Sequence, residues 1–169
     1  MAKLEIIEAT NQSIENNKIK IFLAGGITNC PDWQKVIIDK IKHSSNYYIK
    51  IMLENVTIFN PRRKNFPIED PNASKEQITW EYERLRESNI IVFWFSKGSL
   101  NPIVLYELGR WGNSQPVIQI IGMDKEYERK SDVLIQTKLS KPETKICDNL
   151  DDFYDLIMNS VYNLIETDK

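Results

Sequence analysis

The chain has 169 residues, of which 41% are hydrophobic and 27% charged, a globular composition that excludes a disordered or fibrous chain. Its formal net charge is −2, from 22 basic and 24 acidic residues, so it lacks the positive footprint of a protein that binds duplex nucleic acid. No apolar run near the N-terminus is long enough for a signal peptide or a membrane helix. We therefore expect one domain over residues 1–169, with neither a membrane nor a nucleic acid as its partner.

Cysteine and histidine are scarce in this chain. Cys30 and Cys147 are the two cysteines, and they lie far apart in the sequence. This usage predicts no disulfide framework and no zinc site, and it fits a reducing cytoplasm. The single histidine, His43, lies in a charged helical stretch, which disfavours a serine–histidine or cysteine–histidine nucleophile.

Apolar periodicity predicts alternating strands and helices along the chain. Strands are predicted at residues 3–9, 19–24, 47–59, 89–95, 116–121 and 145–147. Helices are predicted from Asp32 to about His43, from Lys75 to about Ser88 behind a capping box of Ser74 and Gln77, from Pro102 behind Asn101, and over about residues 149–165. Residues 122–132 read as a polar loop or short helix. This alternation predicts an α/β fold whose doubly wound, mostly parallel sheet has roughly five strands.

The most informative stretch joins the apolar strand at 89–95 to the helix that follows it. The strand is apolar enough to be buried on both faces, and Pro102 suits a first helical position. Glu107 then lies in the second turn of a helix that begins just beyond the carboxyl end of a buried strand. Open α/β sheets bind their ligands at that edge, so Glu107 is a candidate site residue. The alternative is a solvated helical glutamate.

Two other strand ends carry candidate binding residues. Gly25 and Gly26 end the strand at 19–24 and would let a ligand approach the backbone, although a tight turn without a ligand has the same sequence. Arg62 and Arg63 follow Asn60 and a proline, and two guanidinium groups there suit a phosphate, a carboxylate or sugar hydroxyls. A surface salt bridge is the alternative reading of the arginine pair.

A second carboxylate lies on the predicted helix at 75–88. Glu81 shares an apolar helical stripe with Ile78 and Leu85, so it must be paired or lie close to a ligand. Gln77 is one turn before Glu81 and lies beside it on the helix. A salt bridge to an arginine is the alternative role for Glu81.

Several segments together resemble the nucleoside 2-deoxyribosyltransferase-like family. They are Phe-Leu-Ala-Gly-Gly-Ile at 22–27, Asn-Pro-Arg-Arg at 60–63, Gln-Ile-Thr-Trp-Glu at 77–81, Phe-Trp-Phe at 93–95 and Leu-Tyr-Glu-Leu-Gly at 105–109. The resemblance covers about residues 19–135, which we expect to form the core of the domain. It implies a flavodoxin-like three-layer α/β sandwich. It also implies that Glu107 is the nucleophile and that Gly25 and Gly26 line a nucleoside pocket.

The resemblance also extends to partners. Family members usually assemble so that a loop after the fourth strand reaches a neighbour's site, which implies a homo-oligomer. In this chain that loop holds Arg129 and Asp132, and Asp132 is near a position where other members have asparagine. The substrate-binding candidates are Ala24, Gly25, Gly26, Asn60, Arg62, Arg63, Gln77, Trp80, Trp94 and Asp132. The two tryptophans can stack on a base or fill the core.

One departure from the family pattern concerns proton transfer. Family enzymes often have an aspartate where the central strand begins, and this chain has Asn89. Protonation of the leaving base would then fall to Glu81 or to a neighbour's carboxylate.

Three functions remain open from the sequence. The first is transfer of a 2-deoxyribosyl group between nucleobases through a covalent glycosyl–Glu107 intermediate. The second is an N-glycoside hydrolase of nucleosides or nucleotides, with Arg62 or Arg63 holding a 5′-phosphate. The third is a nucleotide-binding module without turnover. The chemistry of glycosidic cleavage requires no metal or redox cofactor, so none is expected.

Overall fold

A computed structural model describes residues 3–13, 16–67, 69–113 and 116–167 of the chain. The strands within these ranges are β1 (Glu5–Glu8), β2 (Ile19–Gly25), β3 (Val56–Asn60), β4 (Ile90–Phe95), β5 (Ile118–Met123) and β6 (Lys145–Cys147). The helices are α1 (Trp33–Lys42), α2 (Tyr47–Met52), α3 (Ala73–Glu87), α4 (Pro102–Trp111), α5 (Lys130–Ser140) and α6 (Leu150–Thr167), with a 3₁₀ turn at Leu53–Asn55. No helix in the described ranges is both long and apolar enough to cross a membrane.

The strands form one parallel sheet in the order β1-β3-β2-β4-β5-β6. The predicted α/β doubly wound, three-layer architecture is confirmed. The described sheet has six strands rather than roughly five, because both short outer segments pair at the edges. β1 hydrogen-bonds to β3, and β6 hydrogen-bonds to β5.

Helices cover both faces of the sheet and enclose two apolar cores. α1 and α6 pack on one face through Trp33, Ile37 and Phe153, while α3, α4 and α5 pack on the other. The central strand β4 supplies both cores, because successive side chains of a strand point to opposite faces. Ile90, Val92 and Trp94 belong to the first core, and Ile91, Phe93 and Phe95 to the second. Every residue of β4 is buried, as its sequence predicted.

This topology opens a crevice between β2 and β4. The chain leaving β2 continues into α1 on one face, and the chain leaving β4 continues into α4 on the other. The two loops therefore diverge at the carboxyl edge of the sheet, which is the usual ligand position in doubly wound folds.

The prediction of a strand over residues 47–59 was wrong for its first two thirds. Residues 47–52 form α2, and extended backbone begins only at Val56. Asn46 explains the difference, because its side chain accepts hydrogen bonds from the N–H groups of Tyr48 and Ile49 and so caps a helix. The β-branched and aromatic residues of this segment lie on the surface, where strand propensity is not decisive.

The predicted capping box at the start of α3 is also wrong. The helix begins at Ala73, so Ser74 lies within its first turn and Asn72 occupies the cap position. The Gln77 side chain therefore takes no part in capping α3, and its hydrogen bonds are described below. Two other helices are capped by side chains: Asp32 accepts a hydrogen bond from the Lys35 N–H, and Asn149 accepts one from the Asp152 N–H. Asn101 occupies the predicted cap position of α4, but its side chain makes no capping hydrogen bond.

The last helix of the second layer lies in a stretch whose secondary structure the sequence did not decide. The stretch from 122 to 139 contains the end of β5 and then α5, which begins at Lys130 and packs Val133 against the second core. This helix positions Asp132 in its first turn.

Candidate active site

A cavity of about 410 Å³ lies at the crevice between the carboxyl ends of β2 and β4. Its walls come from the end of β2, the β2–α1 loop, the β4–α4 loop and one side each of α3 and α4. The residues that line it are Phe22, Ala24, Gly25, Gly26, Ile27, Thr28, Pro61, Ile78, Glu81, Ser99, Asn101, Pro102, Ile103, Val104 and Glu107. Most of this surface is apolar, with two carboxylates and a few hydroxyl and amide groups, which is typical of a small-molecule site.

Glu107 projects into the cavity from the second turn of α4. Val104, one turn earlier, is buried in the second core and fixes the rotation of the helix, so that Glu107 lies beside the core and faces the cavity. Burial raises the pKa of the Glu107 carboxyl, and the negative charge of Glu81 raises it further, to about 8. A pKa of about 8 keeps Glu107 mostly protonated at neutral pH.

Glu81 faces the same cavity from α3. Burial raises the pKa of its carboxyl, and a hydrogen bond from Gln77 offsets part of that rise. The Gln77 Nε2 donates to Glu81 Oε1 at 2.7 Å and to the Pro61 carbonyl at 2.8 Å. Because this amide stabilises the charged form of Glu81, the first negative charge of the pair resides on Glu81, and Glu107 ionises second.

The glycine pair makes close packing possible at the base of the cavity. A Cβ at Gly25 would lie 2.5 Å from the indole of Trp33, and one at Gly26 would lie 1.9 Å from the Asn101 Oδ1 and 2.5 Å from the Cys30 Sγ. Gly25 therefore allows Trp33 of α1 to pack against the end of β2, and Gly26 allows the β2–α1 loop to approach Asn101 of the β4–α4 loop. The sequence-based expectation placed both glycines in the pocket, and both line this cavity.

Asn101 shapes the opposite wall. It is buried and adopts a left-handed conformation with φ of 50°. Its side-chain amide donates to the carbonyls of Ser96 and Ser99, at 3.2 and 2.9 Å, instead of capping α4. Asparagine tolerates this conformation better than most residues. Asn101 therefore fixes the loop that carries Ser99 into the cavity wall.

The arginine pair lies outside the cavity. Arg62 turns away from Glu81 and Glu107 and contacts the loop between Gly26 and Asp32. Arg63 stacks its guanidinium over the Phe66 ring, 5.5 Å from the ring centre. Asn60 is buried beside them, and its side chain accepts the Arg62 backbone N–H.

The two candidate tryptophans also lie apart from the cavity. Trp94 is in the first core, 5.2 Å from the Phe153 ring and on the face of the sheet opposite Glu107. Trp80 is in the second core, where it packs on Phe22 and Phe59 and donates to the Asn11 carbonyl.

Asp132 lines a different groove, between α4 and α5, of about 480 Å³. It lies near Arg129, with 3.6 Å between their charged atoms. The groove is on the far side of α4 from the carboxylate pair, so within one chain Asp132 does not face the cavity.

The sequence did not single out several lining residues as site residues. Thr28 and Ser99 belong to loops, where periodicity carries no information. Ile78 and Ile103 are exposed apolar residues of α3 and α4, with 64% and 65% of their surface accessible. An apolar residue on a helix predicts core packing, so only the fold distinguishes these two as cavity walls. Within the described ranges, no cluster of three or more His, Cys, Asp or Glu side chains is arranged to bind a metal.

The fold and the cavity define a class: a doubly wound α/β protein with a carboxylate pair in a largely apolar pocket at the switch point of its sheet. Comparison with known families then identifies it. A family profile described as nucleoside 2-deoxyribosyltransferase like matches residues 18–127, about two thirds of the chain, and the chain belongs to this family. No curated protein gives a significant match to the chain.

Proposed function

We propose that this protein transfers a 2-deoxyribosyl group between nucleobases by cleaving the N-glycosidic bond of 2′-deoxynucleosides. The observation that carries the proposal is the pair Glu81 and Glu107, which face one cavity in a member of a nucleoside 2-deoxyribosyltransferase-like family. Two carboxyl groups with unequal environments are what retaining glycosyl transfer requires. The cavity volume suits a small molecule of nucleoside size.

The first half of the reaction breaks the bond between C1′ and the base. A Glu107 oxygen attacks C1′ and forms a covalent glycosyl ester, while the electrons of the C1′–N bond pass to the departing base. When the sugar binds beside Glu107, the single proton of the pair passes from Glu107 to Glu81, and Glu81 gives it to that base nitrogen as the bond breaks. C1′ gains positive charge as the bond lengthens, and this charge stabilises the ionised form of Glu107 beside it.

The second half reverses these steps with a new base. A nitrogen of the incoming base attacks C1′, and the electrons of the ester bond return to Glu107. The proton displaced from the incoming base passes to Glu81. The pair thus carries one proton before and after turnover, on Glu107 in the empty site and on Glu81 once a sugar lies beside Glu107.

A product assay tests the proposal. The purified protein is incubated with a panel of deoxynucleosides and their 5′-monophosphates, each with and without a second free base, and the products are separated by chromatography. Transfer gives a new deoxynucleoside only when the second base is present. Release of free deoxyribose would show that the protein hydrolyses the glycosidic bond instead of transferring the sugar. The absence of turnover by the wild-type protein on every substrate would refute the proposal that it is an enzyme.

Glu107→Ala is the control for that assay. Its turnover should fall by several orders of magnitude, because residues that act as one catalytic unit have large effects. Turnover within tenfold of wild type would exclude Glu107 as the nucleophile. Lys64→Ala is the surface control, because Lys64 is exposed and does not line the cavity, and it should behave as wild type with nucleosides.

We also propose that the protein forms a homo-oligomer through the face covered by α3, α4 and α5. Apolar side chains are exposed on each of these helices: Ile78, Tyr82, Ile103, Tyr106, Ile135 and Leu139. Apolar exposure of this kind marks an interaction surface. Sedimentation velocity of the wild type and of Ile135→Glu tests it: wild type should sediment as an oligomer and the variant as a smaller species, whereas a monomeric wild type would refute the proposal.

A further inference from the structure

The contacts of Arg62 point to a role that is separate from the carboxylate pair. Its guanidinium is mostly buried, with 17% of the side chain accessible. Nη2 lies 3.0 Å from the Pro31 carbonyl and 3.3 Å from the carbonyls of Gly26 and Cys30. One side chain therefore binds both ends of the β2–α1 loop.

Two further side chains complete this arrangement. The Arg62 Nε donates to the Oε1 of Gln34 at 3.1 Å, and Gln34 is fully buried in α1. Nε also lies 3.3 Å from the Asp32 carboxylate, which at the same time caps α1. Because a guanidinium presents several donors in one plane, arginine alone among the side chains can hold these acceptors together.

The orientation of one peptide follows from these bonds. The Gly26 carbonyl points at Arg62, and in a trans peptide the N–H of the next residue points the opposite way. The Ile27 N–H is therefore directed away from Arg62, and Gly26 and Ile27 are both among the residues that line the cavity. The Ile27 N–H has no hydrogen-bond partner among the described residues.

We propose that Arg62 is a positioning residue that fixes the β2–α1 loop so that the Ile27 N–H donates a hydrogen bond to an acceptor atom of the bound nucleoside. The inference rests on the proposed function for the identity of the ligand, but the loop contacts stand without it. A donor held in place before binding needs no reordering when the substrate arrives, so its main effect is on substrate affinity.

The variants are Arg62→Ala and Arg62→Lys, with Arg63→Ala as the matched control. Lysine keeps the positive charge but cannot hold the five acceptors, so it separates geometry from charge. Arg63 has the same side chain one residue later, and its guanidinium stacks on Phe66 instead of joining the hydrogen bonds that Arg62 makes to the loop.

Hydrogen–deuterium exchange of the ligand-free proteins tests the loop directly. The reporters are the Cys30 N–H, bonded to the Ile27 carbonyl, and the Trp33 N–H, bonded to the Pro31 carbonyl. Exchange at both should accelerate at least tenfold in Arg62→Ala and Arg62→Lys, and it should match wild type in Arg63→Ala. Wild-type exchange in both Arg62 variants would overturn the proposal, whatever the protein's activity. If Arg62→Ala does not fold, Arg62→Lys alone decides.

Steady-state kinetics on the best deoxynucleoside supplies the second readout. KM should rise at least tenfold in both Arg62 variants while kcat falls less than threefold, at a temperature where each variant is folded by circular dichroism. Guanidinium chloride at low millimolar concentration should lower the KM of Arg62→Ala, since the free ion can occupy the vacated position. A wild-type KM in both Arg62 variants would overturn the assigned role. If the wild type turns over nothing in the panel, the proposed function fails, and the exchange experiment still decides whether Arg62 fixes the loop.

Discussion

Replacing Glu107 with glutamine should stabilise the protein, and the gain should grow with pH. A carboxyl whose pKa is raised by folding binds more protons in the folded than in the unfolded state. Stability is therefore lost as pH rises from the unfolded pKa, near 4.5, to the folded pKa of about 8. Glutamine is nearly isosteric and uncharged, so Glu107→Gln escapes this loss.

The magnitude follows from the pKa of about 8. Between pH 5 and pH 8 the wild type loses about 3 kcal/mol of unfolding free energy through this one group, because each pKa unit is worth about 1.4 kcal/mol. The advantage of Glu107→Gln over wild type should accordingly rise from about 1 kcal/mol at pH 5 to about 4 kcal/mol at pH 8. Local relaxation and water entry reduce these values, so they are upper bounds.

Urea unfolding at pH 5, 6, 7 and 8 measures the effect in wild type, Glu107→Gln and the control Glu128→Gln. Glu128 is an exposed glutamate beyond β5, and its variant should differ from wild type by less than about 0.5 kcal/mol at every pH. Glu107→Gln should show no turnover at any pH from 5 to 8. A Glu107→Gln advantage that stays constant with pH would refute the reasoning, since it would mean that Glu107 is not desolvated.

Three further predictions concern the pair and the glycines. Glu81→Gln should lower turnover of natural deoxynucleosides far more than of a deoxyribosyl nitrophenol, whose leaving group needs no proton; equal losses would assign Glu81 to positioning instead. The kcat/KM of wild type for a natural deoxynucleoside should fall above about pH 8, where the pair loses its last proton, and a rise through pH 8 would contradict proton donation by the pair. Gly26→Ala should destabilise the protein by about 1–3 kcal/mol in thermal unfolding, because the new Cβ meets the buried Asn101, while Gly109→Ala meets nothing and should stabilise by about 0.5–1 kcal/mol.

The central part of the fold could be predicted because its local signals agree with its tertiary position. β4 is apolar throughout and is buried throughout, and α4 begins at Pro102 as the sequence indicated. Glu107 is at the cavity for the reason the sequence offered: it follows the carboxyl end of a central strand. For these two elements, the local sequence pattern and the tertiary fold favour the same structure.

Side-chain direction limited what else could be predicted. Arg62 and Arg63 lie at a strand end as expected, but sequence spacing does not tell which way a long side chain turns. The carbonyl groups that bind Arg62 belong to residues 26–31, more than thirty positions away. Backbone acceptors of this kind carry no sequence signal.

Caps and surface segments set the other limit. Asn46 turned an apolar run into α2, and a single side chain that accepts two backbone N–H groups outweighed the strand propensity of six residues. Trp94 shows why the sequence of a buried strand does not predict which face a side chain lies on. Neighbouring residues of β4 face opposite cores, so a shift of one residue would exchange the face with the cavity for the other face.

The first apolar core has a consequence for how far the chain can be shortened. The family match ends at residue 127, yet Phe153 of α6 packs on Trp94 of the central strand and on Trp33 of α1. Gly122 accommodates this contact, because a Cβ there would lie 2.4 Å from the Trp94 ring and 2.8 Å from Phe153. A fragment trimmed to residues 18–127 would lose α6 and the Phe153 contact to both indoles, so we expect the segment that homology recognises to be smaller than the unit that folds cooperatively.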